Sequence, residues 1–313
     1  MMPAQRYETL DAKLHTVSGE LLVQAPADFA HMLSFMRGFA PMAGEQCLGR
    51  GSVAAARMVD GRPVVFELMA TDDPERLAYR LHSEEPLSFD ARVRLLRRVR
   101  FQFGLDDDLA GFYGLADGDR AFSRVVTQLY GMHHVKFPSA FEVACWAVLM
   151  QRVPVARARQ VKRGLVERFG ASLEVEGHVH AAFPEARTLA AASPAEVAEA
   201  VGHPKKAAAI FTLARAFAEM PDEFLRMAPY AEAEAWLRAL PMIGDFSSTL
   251  ILFRGLGRLD RFATQNEHLV EAARRVYHAP MLSEADALGL GARYGEWRGY
   301  WALYLRASAF VGC

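Results

Sequence analysis

Along residues 27–40, ADFAHMLSFMRGFA, apolar side chains return every three or four positions, the spacing of one helix face. The pattern changes at residues 51–71, GSVAAARMVDGRPVVFELMAT. Two apolar runs there flank Asp60-Gly61, a pair suited to the left-handed backbone of a tight hairpin, which predicts two strands joined at that point. PERLAYRLHSE and FDARVRLLRRVRFQFG then read as helices. Beyond about residue 90 strand signals disappear. DDLAGFYGLADGD, FEVACWAVLMQRV, VARARQVKRGLVERFG and HPKKAAAIFTLARAFAE all repeat at helical spacing, and Pro154 separates the second from the third. SPAEVAEAVG opens with Ser193 and carries Glu196 three residues on, the form of a capping box. The pattern predicts an α/β module over residues 1–90 and a helical region over 91–313, so the fold class is α+β, mostly α.

Composition adds limits. The chain has 313 residues, 52% hydrophobic and 23% charged, which fits a globular protein with a sizeable core. A formal net charge of −1 gives no global attraction to nucleic acid, and positive charge is local, in ARVRLLRRVR (91–100) and ARARQVKR (156–163). Cys47, Cys145 and Cys313 are far apart and odd in number, so no zinc or iron–sulfur site can be assembled from cysteine alone. Together with an N-terminus lacking the apolar core of a signal peptide and no run long enough to span a membrane, they lead us to expect a reduced, cytoplasmic setting. The histidine pairs His133-His134 and His178/His180 lack a matching third ligand, and no metal site is expected. The acidic run Asp106-Asp107-Asp108 reads as an exposed helix cap. Lys205 and Lys206 oppose the dipole of the helix they begin; they read either as a solvated face or as facing an anion.

Residues 232–257, EAEAWLRALPMIGDFSSTLILFRGLG, carry the most chemistry. One helix ends near Leu240, a short turn holds Pro241, Met242, Ile243 and Gly244, and a second helix begins around Asp245. Gly244 supplies permissive backbone at the reversal. The free amides at the start of the second helix attract a phosphate oxygen without reading sequence.

This stretch resembles the helix-hairpin-helix of DNA base-excision glycosylases, whose turn usually reads L-P-G-I-G. FEVACWAVLMQRVPVARARQVKRGLVERFG (141–170) resembles the helix pair of bacterial 3-methyladenine DNA glycosylase II, with Gln151 in its A-I-L-x-Q-x-V pattern. GHPKKAAAIFTLARAF resembles the G-x-P-x-K-A-x-x-I-x-x-L-A segment of that family, and EWRGYWALYL (296–305) resembles its P-W-R-x-Y-A closing helix. DRFATQNEHLV sits where the family carries F-x-x-x-D after the hairpin. The likeness runs through nearly the whole chain in one order and covers the N-terminal module as well.

The resemblance implies a monomer that binds double-stranded DNA containing a damaged base, flips the damaged nucleotide and hydrolyses its glycosidic bond. It places Gln151, Arg152, Met242, Gly244, Asp245, Ser247 and His268 on the DNA. Arg152 falls at the position of the wedge that fills the vacated stack, where the bacterial family has leucine. Phe246, Leu250 and Trp297 fall on the base pocket, and Trp301 reads as core. Phe246 replaces the lysine with which bifunctional relatives form a Schiff base, which implies a monofunctional enzyme. Leu250 replaces a tyrosine and leaves the pocket less aromatic. Met242 replaces the first glycine of the turn and strains it if that position needs positive φ. A monovalent cation held by backbone carbonyls of the hairpin is also implied, with no other cofactor.

The family needs one carboxylate beside the breaking bond to stabilise a sugar with cationic character. Counting from Phe262 without a gap puts it at Asn266, an uncharged amide; a slip of one residue puts it at Glu267. Three readings follow. An original aspartate has been replaced at Asn266, or Glu267 is the acid, or the protein binds lesions without excising them. A helical adaptor for protein partners is a more distant alternative.

Overall fold

The computed structural model describes residues 14–42, 44–262 and 267–309. The Asp60-Gly61 expectation holds: Asp60 and Gly61 have φ of 52° and 82°, and they join β3 (Ser52–Val59) to β4 (Arg62–Ala70). With β1 (His15–Leu22), β2 (Cys47–Leu48) and β5 (Arg76–Ser83) they form an antiparallel sheet in the order β1-β5-β4-β3-β2. The helix expected over PERLAYRLHSE is β5 instead. Its buried Leu77 and Leu81 are four residues apart, and that interval is compatible with both the period of a strand and that of a helix. Pairing of β5 between β1 and β4 decides the matter. α1 (Phe29–Gly38), capped by Asp28, and α2 (Phe89–Phe103), capped by Ser88, cover the sheet.

α3 (Ala110–Ala116), α4 (Ser123–Gln128), α5 (Ala140–Leu149) and α6 (Val155–Phe169) follow. A second departure comes next. β6 (Ala171–Val175) and β7 (His178–Ala182) form a hairpin where only helix was expected, turning at Glu176 and Gly177 with φ of 51° and 78°. Leu173, Val175 and Ala182 alternate inward and pack on Ala56, Met58 and Val65 of the N-terminal sheet. The hairpin thus ties the helical region to that sheet. α7 (Ala186–Ala191), α8 (Pro194–Val201) and α9 (Pro204–Glu219) pack behind α5 and α6, and the capping box of Ser193 and Glu196 is present at α8. Then come α10 (Asp222–Met227), α11 (Tyr230–Arg238), α12 (Asp245–Arg254), α13 (Glu267–Val276), α14 (Glu284–Ala292) and α15 (Arg298–Ser308).

Apolar burial falls into two main cores. The first joins sheet, α1–α4 and the C-terminal helices α13–α15, from Leu21 to Val135 and from Phe253 to Ala307. The second is nearly continuous in sequence, from Phe137 to Leu256, with Met42 added. The residue-90 boundary therefore does not separate the cores, because α2 packs with the sheet. α12 lies where they meet: Ile251, Leu252 and Ile243 before it belong to the second, Phe253 to the first.

Buried charges bridge the same seam. Lys162 on α6 is almost fully enclosed and donates to Glu142 of α5 and to Glu45, each at 2.7 Å. Arg254 ends α12 with its guanidinium over the rings of Phe35 on α1 and Phe39 just after it, and burial pushes its pKa down to about 9. Asp107 is not the exposed cap its sequence suggests; it accepts from Tyr300 and lies 3.5 Å from Lys136, a buried lysine.

Candidate nucleic-acid interface

α11 ends at Arg238 and the chain reverses before α12. The Ile243 amide donates to Leu240 at 3.2 Å, and the Ile243 side chain is buried, which pins the turn to the second core. Met242 has φ of 64°, so the left-handed position of the turn is occupied by a residue with a side chain. Gly244 does not supply it, contrary to the sequence expectation. Its φ is −97° and ψ −169°, extended backbone open to any residue. A Cβ added there would meet nothing within 4 Å. Glycine leaves open space in front of α12, whose first amides receive no side-chain cap. Exposed Asp245 pairs with Arg238 at 2.9 Å, which offsets its charge at this helix start. Ser247 is buried.

The exit of α5 comes to the same turn. Gln151 Nε2 donates to the Met242 carbonyl at 2.7 Å. The next residue, Arg152, is exposed and has φ of 56°. Its side chain thus projects from a left-handed backbone beside the open start of α12. Lys206 also reaches this loop. Its Nζ donates to the carbonyls of Leu149 and Gln151 at 2.7 and 2.8 Å. Lys206 is buried, so neither sequence reading of it holds: it faces no solvent and no outside anion. Its signal was the cost of a cation in the first turn of α9, which calls for a nearby acceptor.

Along α12, Phe246, Leu250 and Phe253 share one face at i, i+4 and i+7. Burial deepens along it: Phe246 is 36% exposed, Leu250 is half-buried and Phe253 is inside, stacked on His134 at 4.6 Å. The stripe runs from the surface beside the turn to the seam between the cores. Trp297 stands in a short turn before α15, half-buried, 6.5 Å from Phe112 and 6.0 Å from Tyr300 by ring centres. Its neighbours belong to the first core. Trp301 is fully buried and donates to Tyr277 at 3.0 Å.

Glu267 begins α13 with its side chain exposed, as is that of His268. Leu269, Ala272, Ala273 and Val276 seat the opposite face of the helix in the first core, so Glu267 stands on a firmly docked element. Asn266 lies outside the described residues.

A hairpin of two helices, an adjoining loop with an exposed arginine, and an apolar stripe leading inward define the helix-hairpin-helix glycosylase architecture. No family model matches the chain. It is similar to the DNA-3-methyladenine glycosylase of Bacillus subtilis, 27% identical over 246 residues, which cover 77% of this chain and 80% of that one. It is 26% identical over 309 residues to a probable bifunctional transcriptional activator/DNA repair enzyme of Mycobacterium tuberculosis, covering 95% of this chain and 58% of that longer protein. The 3-methyladenine DNA-glycosylase of Archaeoglobus fulgidus has the same fold, with a TM-score of 0.76, 20% identity, and coverage of 93% and 97%. The chain has the fold of the helix-hairpin-helix DNA glycosylases and is similar in sequence to a 3-methyladenine glycosylase that it covers over most of its length. Among these proteins, the resemblance is to bacterial 3-methyladenine DNA glycosylase II.

Proposed function

We propose that this protein is a monofunctional DNA glycosylase that flips an alkylated base from duplex DNA and hydrolyses its N-glycosidic bond. The observation that carries the reading is the bond from Gln151 to the Met242 carbonyl, which joins the Arg152 loop to the turn before α12. The turn and the uncapped amides of α12 take a backbone phosphate, and Arg152 enters the stack that the flipped base leaves. Its planar guanidinium suits stacking and pairing with the orphaned base. Phe246, exposed at the mouth of the apolar stripe, offers a π face to an electron-poor base.

Phe246 has no amine, so no Schiff base forms at that position and water is the nucleophile. As the bond to the base breaks, the sugar gains positive charge and water adds at the anomeric carbon. Glu267 at the start of α13 supplies the carboxylate that stabilises this charge and orients the water. A monovalent cation on carbonyls of the turn is part of the reading; the Met242 carbonyl already accepts from Gln151. Among the described residues no helix is long and apolar enough to cross a membrane.

The test is single-turnover base release from a duplex carrying an alkylated purine, run with this chain, Asn266→Asp and Glu267→Gln. Release that Glu267→Gln abolishes supports Glu267 as the acid. An inert chain restored by Asn266→Asp moves that role to position 266. Lesion-selective binding with no release from any of the three replaces the enzyme with a damage-binding protein.

A further inference from the structure

Lys206 is the third residue of α9, whose N-cap is His203. The N-terminal end of a helix carries partial positive charge, and an ammonium there is unfavourable on its own helix. The Lys206 side chain leaves that end and places Nζ against the C-terminal end of α5, where Leu149 and Gln151 carbonyls accept at 2.7 and 2.8 Å. The Leu149 carbonyl is one of those that an α-helix leaves without internal partners at its negative end, and the Gln151 carbonyl follows just past the cap.

We propose that Lys206 is a positioning residue for Arg152, an inference that rests on the glycosylase reading for its DNA consequence. The Gln151 carbonyl belongs to the peptide that leads into Arg152. Holding that carbonyl from inside, while the Gln151 side chain is held by Met242 from the side, fixes the plane of the peptide between Gln151 and Arg152. A non-glycine residue stays at positive φ only when its surroundings over-determine it. Arg152, with φ of 56°, has no apolar burial of its own to do so, since it is exposed. Without the ammonium, the peptide is free to rotate and Arg152 relaxes to an ordinary backbone conformation. Its side chain then no longer stands ready beside the turn.

The first measurement needs no DNA. Amide exchange is followed in the intact protein and in Lys206→Met, which keeps most of the stem and removes the donor. Gln151 and Val153 amides, bonded to Val148 and Met150, exchange about tenfold faster in the variant while the rest of α5 and α9 is unchanged. Unchanged exchange at those two amides, or equal acceleration throughout α5 and α9, overturns the inference. Should Lys206→Met fail to fold, Lys206→Leu, which also removes the donor, is measured against the same criterion.

The second measurement is single-turnover base release in a double-mutant cycle with Arg152→Ala. Lys206→Met lowers the rate about tenfold when Arg152 is present and leaves it unchanged in the Arg152→Ala background. Losses that multiply in the double variant show that Lys206 acts independently of Arg152, and the inference falls. If neither the parent nor Asn266→Asp releases base, the glycosylase reading alone is overturned, because the exchange measurement still decides whether Lys206 holds the loop.

Discussion

Gln151 and Met242 are 91 residues apart in the chain and 2.7 Å apart in the structure, Nε2 to carbonyl oxygen. The bond makes the α5 exit loop and the turn before α12 one rigid piece. Gln151→Met preserves length and removes the donor. It is expected to lower stability by about 1 kcal/mol, an ordinary value for one hydrogen bond. Lesion-duplex affinity should fall alongside it. Thermal unfolding and a DNA titration check both; a variant matching the parent in each shows that the bond has no role.

Gly244 has a backbone any residue can adopt and empty space where its side chain would be. Gly244→Ala is therefore expected to change stability by less than about 0.5 kcal/mol. The new methyl group occupies the approach of a phosphate to α12, and DNA affinity should drop about tenfold. Full DNA affinity in a stable Gly244→Ala protein would place the phosphate elsewhere.

At Met242 the prediction concerns φ. A β-branched side chain suffers most at 64°, and glycine not at all. Met242→Val should be less stable than Met242→Gly by about 1–2 kcal/mol, measured by urea unfolding. The reverse order would mean that apolar contact by the side chain outweighs backbone strain.

His134 is fully buried on Phe253, with neither ring nitrogen hydrogen-bonded. Burial, with Lys136 and Arg254 nearby, holds its pKa well below the usual histidine range. The unfolded chain therefore takes up a proton that the folded one refuses. Stability contributed by this group is present above about pH 6.5 and is lost as pH falls from there toward the folded pKa, at about 1.4 kcal/mol per pH unit. His134→Phe keeps the stack and removes the titration. Chemical unfolding at about pH 7 and about pH 5 should show a smaller acid loss in the variant than in the parent. Equal losses in the two proteins would assign the acid sensitivity to other groups.

Much of this was readable from residue order. The Asp60-Gly61 hairpin, the Ser193 capping box and the turn between α11 and α12 are local signals with local causes, and each is where its residues imply. β5 was not legible because a Leu pair four apart satisfies two periods, and its pairing partners lie far along the chain. β6 and β7 did alternate, in SLEVEGHVHA around Glu176-Gly177, but their surroundings of helices masked a short hairpin. The resemblance singled out Gln151, Arg152 and Phe246; the structure brings the Gln151 loop to the turn before α12 and puts Phe246 at the surface of that helix. The resemblance raised positive φ at Met242 as a condition, which the φ of 64° there meets, and gave no sign that Gly244 would be extended. The Lys206 contacts were out of reach because they cross 55 and 57 residues.

The first core takes its apolar residues from both ends of the described chain, while the second is almost complete within 137–256. During synthesis, the middle of the chain can therefore bury its apolar surface as soon as it has left the ribosome. α3 and α4 emerge earlier and must wait, with their apolar faces bare, until α14 and α15 arrive to cover them. That interval exposes Phe112 and Phe122 to neighbouring chains, and it makes the arrival of α14 and α15 the step at which this core becomes safe from aggregation.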